Sequence, residues 1–149
     1  MALAQDLMSS PVTTILETET VGKAADLMIE RGLSCIPVVD DNEHLVGMLT
    51  HTDFSMHHKF KPLAQHLYTL LGSWANPETV EGVYHEIRSR KIKDVMSHPV
   101  STVEESTPAT EIVETMLHNH INRVPVVRGK NVIGIITRHD LLKLISMGT

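Results

Sequence analysis

Asp6–Ile15 reads DLMSSPVTTI and Asp94–Val103 reads DVMSHPVSTV, 94 − 6 = 88 residues further along the chain. The correspondence extends outward from there. CIPVVD (Cys35–Asp40) aligns with RVPVVR (Arg123–Arg128) at the same offset, and GMLTHTDF (Gly47–Phe54) aligns with GIITRHDL (Gly134–Leu141) at 134 − 47 = 87. One residue is lost in the turn between. Self-similarity at a fixed offset marks a duplicated supersecondary unit, so the fold can be read once and applied twice.

In each copy a short strand (Val12–Leu16; Val100–Val103) leads into an amphipathic helix. The apolar positions Val21, Ala24, Ala25 and Met28 in one copy, and Ala109, Ile112, Val113 and Met116 in the other, fall at i, i+3, i+4 and i+7. That spacing gathers them on one buried face. Two β-branched runs follow, CIPVV then HLVGML and RVPVV then NVIGII, divided by Asp-Asp-Asn-Glu in one copy and Arg-Gly-Lys in the other. Those compositions predict a turn and hence a hairpin. A closing helix after Asp53 or Asp140 completes a β-α-β-β-α unit. One three-stranded half-sheet with helices on one side cannot bury both faces alone. The expected fold class is therefore α/β (α+β), with two units packed about a pseudo-twofold axis.

The repeats occupy 4–54 and 92–146, and the insert between them, 55–91, differs in composition. All five aromatic residues, Phe54, Phe60, Tyr68, Trp74 and Tyr84, lie in or beside it. Pro62 and Pro77 each stand where a helix can begin, which predicts a helical hairpin over about Leu63–Ser73 and Glu78–Ser89.

Composition excludes several classes of function. With 42% hydrophobic and 21% charged residues in 149, the chain is ordinary for a globular protein, and its longest apolar runs (45–49 and 132–136) are too short to cross a bilayer. Its 13 Lys and Arg against 18 Asp and Glu give a net charge of −5 without a basic cluster, which argues against nucleic acid as a partner. The single cysteine, Cys35, has no internal disulfide partner and no second cysteine with which to hold zinc. MALAQDLMSS shows no charged segment followed by an apolar core, so a soluble, cytoplasmic protein without membrane attachment is expected.

No G-x-S-x-G, G-x-x-x-x-G-K-[ST] or G-x-G-x-x-G occurs, and no catalytic residues are assigned. His85–Ser89 begins like H-E-x-x-H but ends in serine. His51, His57, His58 and His66 read as solvated side chains, and no metal site is expected. Met28 and Met116 read as core, and Cys35 as a small packed residue rather than a nucleophile.

The ordered set D-h-M-x-x-P-V, h-P-V-V and G-h-h-T-x-x-D (h apolar), present twice, resembles a tandem pair of CBS domains, the module named after cystathionine β-synthase. The resemblance covers about residues 4–54 and 92–146 and leaves out the insert. It implies a regulatory module that binds an adenosine-containing ligand (AMP, ADP, ATP or S-adenosylmethionine) in two clefts between the copies, with no cofactor required. It further implies that the motif aspartates, Asp53 and Asp140, hold ribose hydroxyls, with Thr50 and Thr137 near ribose or phosphate. Adenine would lie against the first strand of the opposite copy. Asp53 is thus expected to share a cleft with Val100, Ser101, Thr102 and Ile121, and Asp140 with Val12, Thr13, Thr14 and Leu33. INRVPVV also resembles the basic pattern that the γ subunit of AMP-activated protein kinase carries there, which implies Arg123 near phosphate. Cys35 stands at that position in the first copy.

The chemistry agrees with this assignment. A carboxylate accepts bonds from two neighbouring hydroxyls, and a guanidinium satisfies phosphate oxygens in a fork. Thr50-x-x-Asp53 and Thr137-x-x-Asp140 also fit a capping box, a role compatible with ligand binding. Thr137, Arg138, His139 and Arg123 belong to one copy, whereas Thr50, His51 and Thr52 flank Asp53. Phosphate-bearing ligands are therefore expected to prefer the Asp140 cleft, an order that an arginine reaching across the copies would reverse. The resulting expectation is a stand-alone, non-enzymatic sensor that relays occupancy to a regulated protein. The alternative is an interaction scaffold with ligand-free clefts. A homodimer is expected from the resemblance and from the stripe Leu63, Leu67, Leu70 and Leu71, unless the insert folds back on its own module.

Overall fold

The computed structural model describes residues 1–54 and 77–148, without the side chains at 52, 77–81 and 83. The expected helix at 63–73 and the leucine stripe lie outside the described residues. Each copy builds a three-stranded sheet. The first is ordered β1 (Ile15–Leu16), β2 (Cys35–Val39), β3 (Leu45–Thr50), and the second β4 (Val103–Glu104), β5 (Arg123–Arg128), β6 (Asn131–Thr137). The first two strands of each sheet are parallel and the last two form the antiparallel hairpin. The register shifts at Val38/Val39 in one hairpin and at Val126/Val127 in the other, again 88 residues apart.

The described residues form five α-helices, α1 (Ala4–Leu7), α2 (Val21–Arg31), α3 (Pro77–Ser89), α4 (Ala109–His118) and α5 (Leu142–Ser146), with short 3-10 turns at His51–Phe54, Ile92–Asp94 and Arg138–Leu141. α2 is the parallel crossover of the first copy. Thr20 Oγ1 accepts the Lys23 amide at 3.2 Å to start it, and Gly32 at φ 63° ends it. Val21, Ala24 and Met28 are buried on its core face, and Ala109, Ile112 and Met116 do the same on α4.

The first strands are shorter than their sequences predict. β1 begins at Ile15 and β4 at Val103, because only Ile15 and Leu16 pair with Val38 and Val39, and only Val103 and Glu104 with Val126 and Val127. The residues before each strand leave the sheet and face the other copy instead.

The packing has a feature that the repeat boundaries conceal. Residues 2–9 precede the first sheet but pack on the second. Ala2, Ala4 and Leu7 join Val103, Ile112, Val124 and Ile136 in one core. Reciprocally, Ile92 and Val95 join Ile15, Val21, Ile36 and Leu49. Backbone bonds fix both exchanges: Ala4 N–H to Thr107 O (2.8 Å) in one, and Ile92 N–H to Glu19 O (2.9 Å) in the other.

A methionine on a glycine then locks each exchanged segment. A Cβ at Gly134 would strike the Met8 side chain, and one at Gly47 would strike Met96. Only glycine leaves room for the thioether there. Beside these contacts Ser9 pairs with Ile135 and Ser97 with Met48, so each segment borders the other copy's hairpin.

α3, the described helix of the insert, lies on its own module. Arg88 crosses Gly22 of α2 and makes a forked pair with Asp26 at 2.9 and 3.3 Å. Among the described residues no helix is long and apolar enough to cross a membrane.

Candidate ligand clefts between the copies

A thin apolar layer separates the two cores. It consists of Cys35, Met48 and Ile135, flanked by Val12 and Val100. Hollows open around it where the strand ends of one copy face the irregular segment of the other.

One, about 430 Å³, takes Met48 and Thr50 from the first copy and Ser97, Val100, Ser101, Ile121 and Arg123 from the second. A smaller cleft of about 250 Å³ takes Val12, Thr13, Leu33 and Cys35 from the first copy and Thr137 from the second. These sets reproduce the crossed pairing of threonine with the opposite copy's first segment. A third recess of about 240 Å³ holds Arg123, Arg138, His139 and Asn122 with Ser34 and Thr137. Arg123 and Asn122 line the recess and the larger cleft, and Ser34 and Thr137 line the recess and the smaller one, so it adjoins both.

Two of the expected threonines fall elsewhere. Thr102 lines a separate hollow with His44 and Lys130, and Thr14, which is exposed, lines neither cleft. The side chain of Thr52 lies outside the described residues. Arg123 belongs to the same copy as Asp140 but lines the cleft of Thr50, and it also lines the recess that holds Thr137.

Neither aspartate lines either cleft. Each carboxylate is turned into its capping box. Asp53 Oδ2 accepts the Thr50 amide (2.9 Å) and hydroxyl (3.3 Å), and Asp140 Oδ2 accepts the Thr137 amide (2.8 Å) and hydroxyl (3.2 Å). The second oxygens differ. Asp53 Oδ1 accepts the Ser97 hydroxyl at 3.1 Å, while Asp140 Oδ1 pairs with Lys143 Nζ at 3.2 Å. Asp140 is 7% exposed, the one polar or charged residue buried among the described residues.

Arg123 sits at the pseudo-twofold position of Cys35, since 123 − 35 = 88, and the two side chains meet. Burial pushes the Cys35 thiol up, against the opposing pull of the adjacent guanidinium. The thiol is therefore protonated at neutral pH and behaves as packing. Arg123 Nη1 donates to Asn122 Oδ1 at 2.9 Å, but its Nε is buried without a hydrogen-bond partner among the described residues. A buried donor left unpaired costs about 1–3 kcal/mol. An anion seated beside it removes that cost.

Several lining residues escaped the sequence reading. Ser34 and Asn122 occupy the positions just before each h-P-V-V run, and Ser97 lies inside the repeated D-h-M-x-x-P-V motif. His120 lines the larger cleft with φ 53°, where the first copy has Gly32 at φ 63°. The helix-ending glycine has been replaced by a residue that reaches the cleft.

Compared with known families, residues 4–57 and 92–147 each match the CBS domain. The chain belongs to the CBS-domain family. Inosine-5′-monophosphate dehydrogenase of Methanocaldococcus jannaschii is 31% identical over 141 residues, covering 94% of this chain and 23% of that protein. The chain thus spans under a quarter of that relative. Among solved structures, the CBS domain of a CBS domain-containing membrane protein from Sphaerobacter thermophilus superposes with a TM-score of 0.76 at 33% identity, covering 97% of this chain and 88% of that one. The CBS domain pair of protein MJ0100, solved in complex with 5′-methylthioadenosine and S-adenosyl-L-methionine, gives 0.73 at 25% identity, covering 100% of this chain and 99% of that one. The mixed architecture of two three-stranded sheets is that of a CBS pair.

Proposed function

We propose that this CBS pair is a regulatory, non-catalytic module that binds an adenosine-containing ligand between its repeats and relays occupancy to a partner protein. The observation that carries it is the larger cleft. At about 430 Å³ it falls within the range of small-molecule sites, and it is walled by aliphatic and hydroxyl side chains. Arg123, with its buried unpaired Nε, stands at its junction with a recess that also holds Arg138 and His139. Adenosine in the cleft with its phosphate toward the recess places each group against matching chemistry. The adenosyl ligands of the MJ0100 pair support the same class of occupant.

In this reading Thr50 and Ser101 meet the sugar, Val100 and Ile121 the base, and Arg123 the phosphate. Asp53, whose Oδ1 accepts the Ser97 hydroxyl, turns to accept a ribose hydroxyl. The relay runs through the exchanged segments, because Ser97 borders the cleft and its neighbours Val95 and Met96 pack on the other copy. Repeats 4–54 and 92–146 form the sensor, which works as a cytoplasmic homodimer.

Melting curves of the full chain with AMP, ADP, ATP, S-adenosylmethionine and NADH test this. A ligand at 100 times its dissociation constant adds about 2.7 kcal/mol, or roughly 5–11 °C for a chain of this size. Arg123→Met is expected to abolish the preference for phosphorylated ligands and to spare adenosine itself. Absence of any shift across the panel overturns the sensor and leaves a scaffold.

A further inference from the structure

The recess of about 240 Å³ adjoins both clefts, and its charge is supplied once rather than twice. Its cationic and imidazole side chains, Arg123, Arg138 and His139, all belong to the second copy. The corresponding positions of the first copy are 123 − 88 = 35, 138 − 87 = 51 and 139 − 87 = 52, which are Cys35, His51 and Thr52. The backbone repeats where the side chains do not. The Arg138 amide donates to Asn122 O at 2.8 Å, and the His51 amide to Ser34 O at 3.1 Å. Duplication has thus left two clefts of related design and a single pair of guanidiniums. Among the described residues no Lys or Arg lines the smaller cleft. Arg31 donates to Thr13 Oγ1 at 3.1 Å, yet it lines neither that cleft nor the recess.

Building on the reading of the clefts as adenosyl sites, we propose that the recess is one anion site shared by both. A nucleotide phosphate entering it from either cleft shuts the other cleft to a second nucleotide and leaves it open to an adenosyl compound without phosphate. The shared walls provide the access: Arg123 and Asn122 are common to the recess and the larger cleft, Ser34 and Thr137 to the recess and the smaller one. The charges provide the exclusion. No Asp or Glu lines the recess among the described residues, so Arg123 and Arg138 face an incoming anion undiluted. A phosphate monoester carries about −1.5 to −2 at neutral pH, which two guanidiniums balance. A second phosphate in the same hollow finds no further guanidinium and meets the first as a like charge at short range, away from bulk water, where repulsion is least screened. A ligand that ends in a thioether brings no such charge.

The pair of clefts then reads composition as well as concentration. One nucleotide and one phosphate-free adenosyl compound bind together, whereas two nucleotides do not. Arg138, which lines the recess and neither cleft, sets the phosphate preference of both.

Equilibrium dialysis of the full chain against AMP and 5′-methylthioadenosine counts the sites. Wild type is expected to hold one equivalent of AMP alone, two of 5′-methylthioadenosine alone, and one of each when both are present. Arg138→Met is expected to weaken AMP by roughly 10- to 150-fold, the worth of a hydrogen bond to a charged group, and to leave 5′-methylthioadenosine unchanged. Arg138→Lys recovers part of that loss. Two equivalents of AMP, a single equivalent of 5′-methylthioadenosine, failure of the two to bind together, or unchanged AMP affinity in Arg138→Met overturns the shared recess and leaves the adenosyl reading intact. A wild type that binds neither compound overturns both. The wild-type counts decide the matter if Arg138→Met loses its fold.

Discussion

Leu7→Ala is expected to damage the half of the molecule to which Leu7 does not belong in sequence. Leu7 is fully buried and packs with Val103, Ile112, Val124 and Ile136 of the second copy. The substitution removes three carbon atoms at about 0.8 kcal/mol each, and the cavity left behind raises the cost to about 3 kcal/mol, within the 2–5 found for buried leucines. For a chain of this length that is a fall of roughly 6–12 °C in melting temperature. Urea denaturation measures the size of the loss, and methyl spectra locate it. Resonances of Ile112, Val124 and Ile136 are expected to move, while those of Ile36, Val38 and Leu49 stay in place. A loss below about 1 kcal/mol, or shifts confined to the first copy's methyls, would refute the exchange of segments as the basis of the second core.

Three further outcomes follow from other contacts. Gly134→Ala is expected to cost about 1–3 kcal/mol through collision with Met8, and the Gly134→Ala/Met8→Ala double variant less than the sum of the singles; strict additivity in denaturation would show that the two side chains do not meet. His120→Gly relieves a left-handed conformation and is expected to raise stability by up to about 1 kcal/mol while weakening ligand binding in the larger cleft; a destabilised variant with unchanged affinity contradicts both halves. The hydrogen bonds from Arg88 hold the Asp26 carboxyl below its ordinary value of 3.8, so their contribution is complete above that value and is lost as pH falls through the lower folded one. Wild type should lose stability faster than Asp26→Asn on acidification below about pH 4, and parallel denaturation curves would count against the pair.

The fold was legible in the sequence because the motifs recur in order at a constant offset, and because helix and strand periods are local properties. Val21, Ala24 and Met28 announce a buried helix face whichever sheet covers it. The exchange was not legible for the same reason. Leu7 and Val95 read as the apolar openings of their own repeats, and no periodicity says whose core an apolar side chain enters. The glycines came closest to a signal, since Gly47 and Gly134 interrupt strands that otherwise favour β-branched residues, but a glycine does not name the methionine that covers it.

The clefts were legible to the extent that the resemblance to CBS pairs implies their walls. Thr50 with Val100, Ser101 and Ile121, and Thr137 with Val12, Thr13 and Leu33, are the sets that resemblance implies, and each set lines one cleft. Thr102 departs from that set because its side chain faces a different hollow, a matter of one residue's turn in an irregular segment. Arg123 shows the limit of reasoning from chain proximity, since membership of a copy does not determine which cleft a long side chain enters.

A chain in which each half holds part of the other's interior can be cut without coming apart. With the backbone severed between 55 and 76, the fragment carrying Leu7 and Met8 still fills the core around Ile112, and the fragment carrying Ile92 and Val95 still fills the core around Ile36. The two pieces should leave a sizing column together, and each should be unfolded when expressed alone. Either half serves as the template on which the other folds.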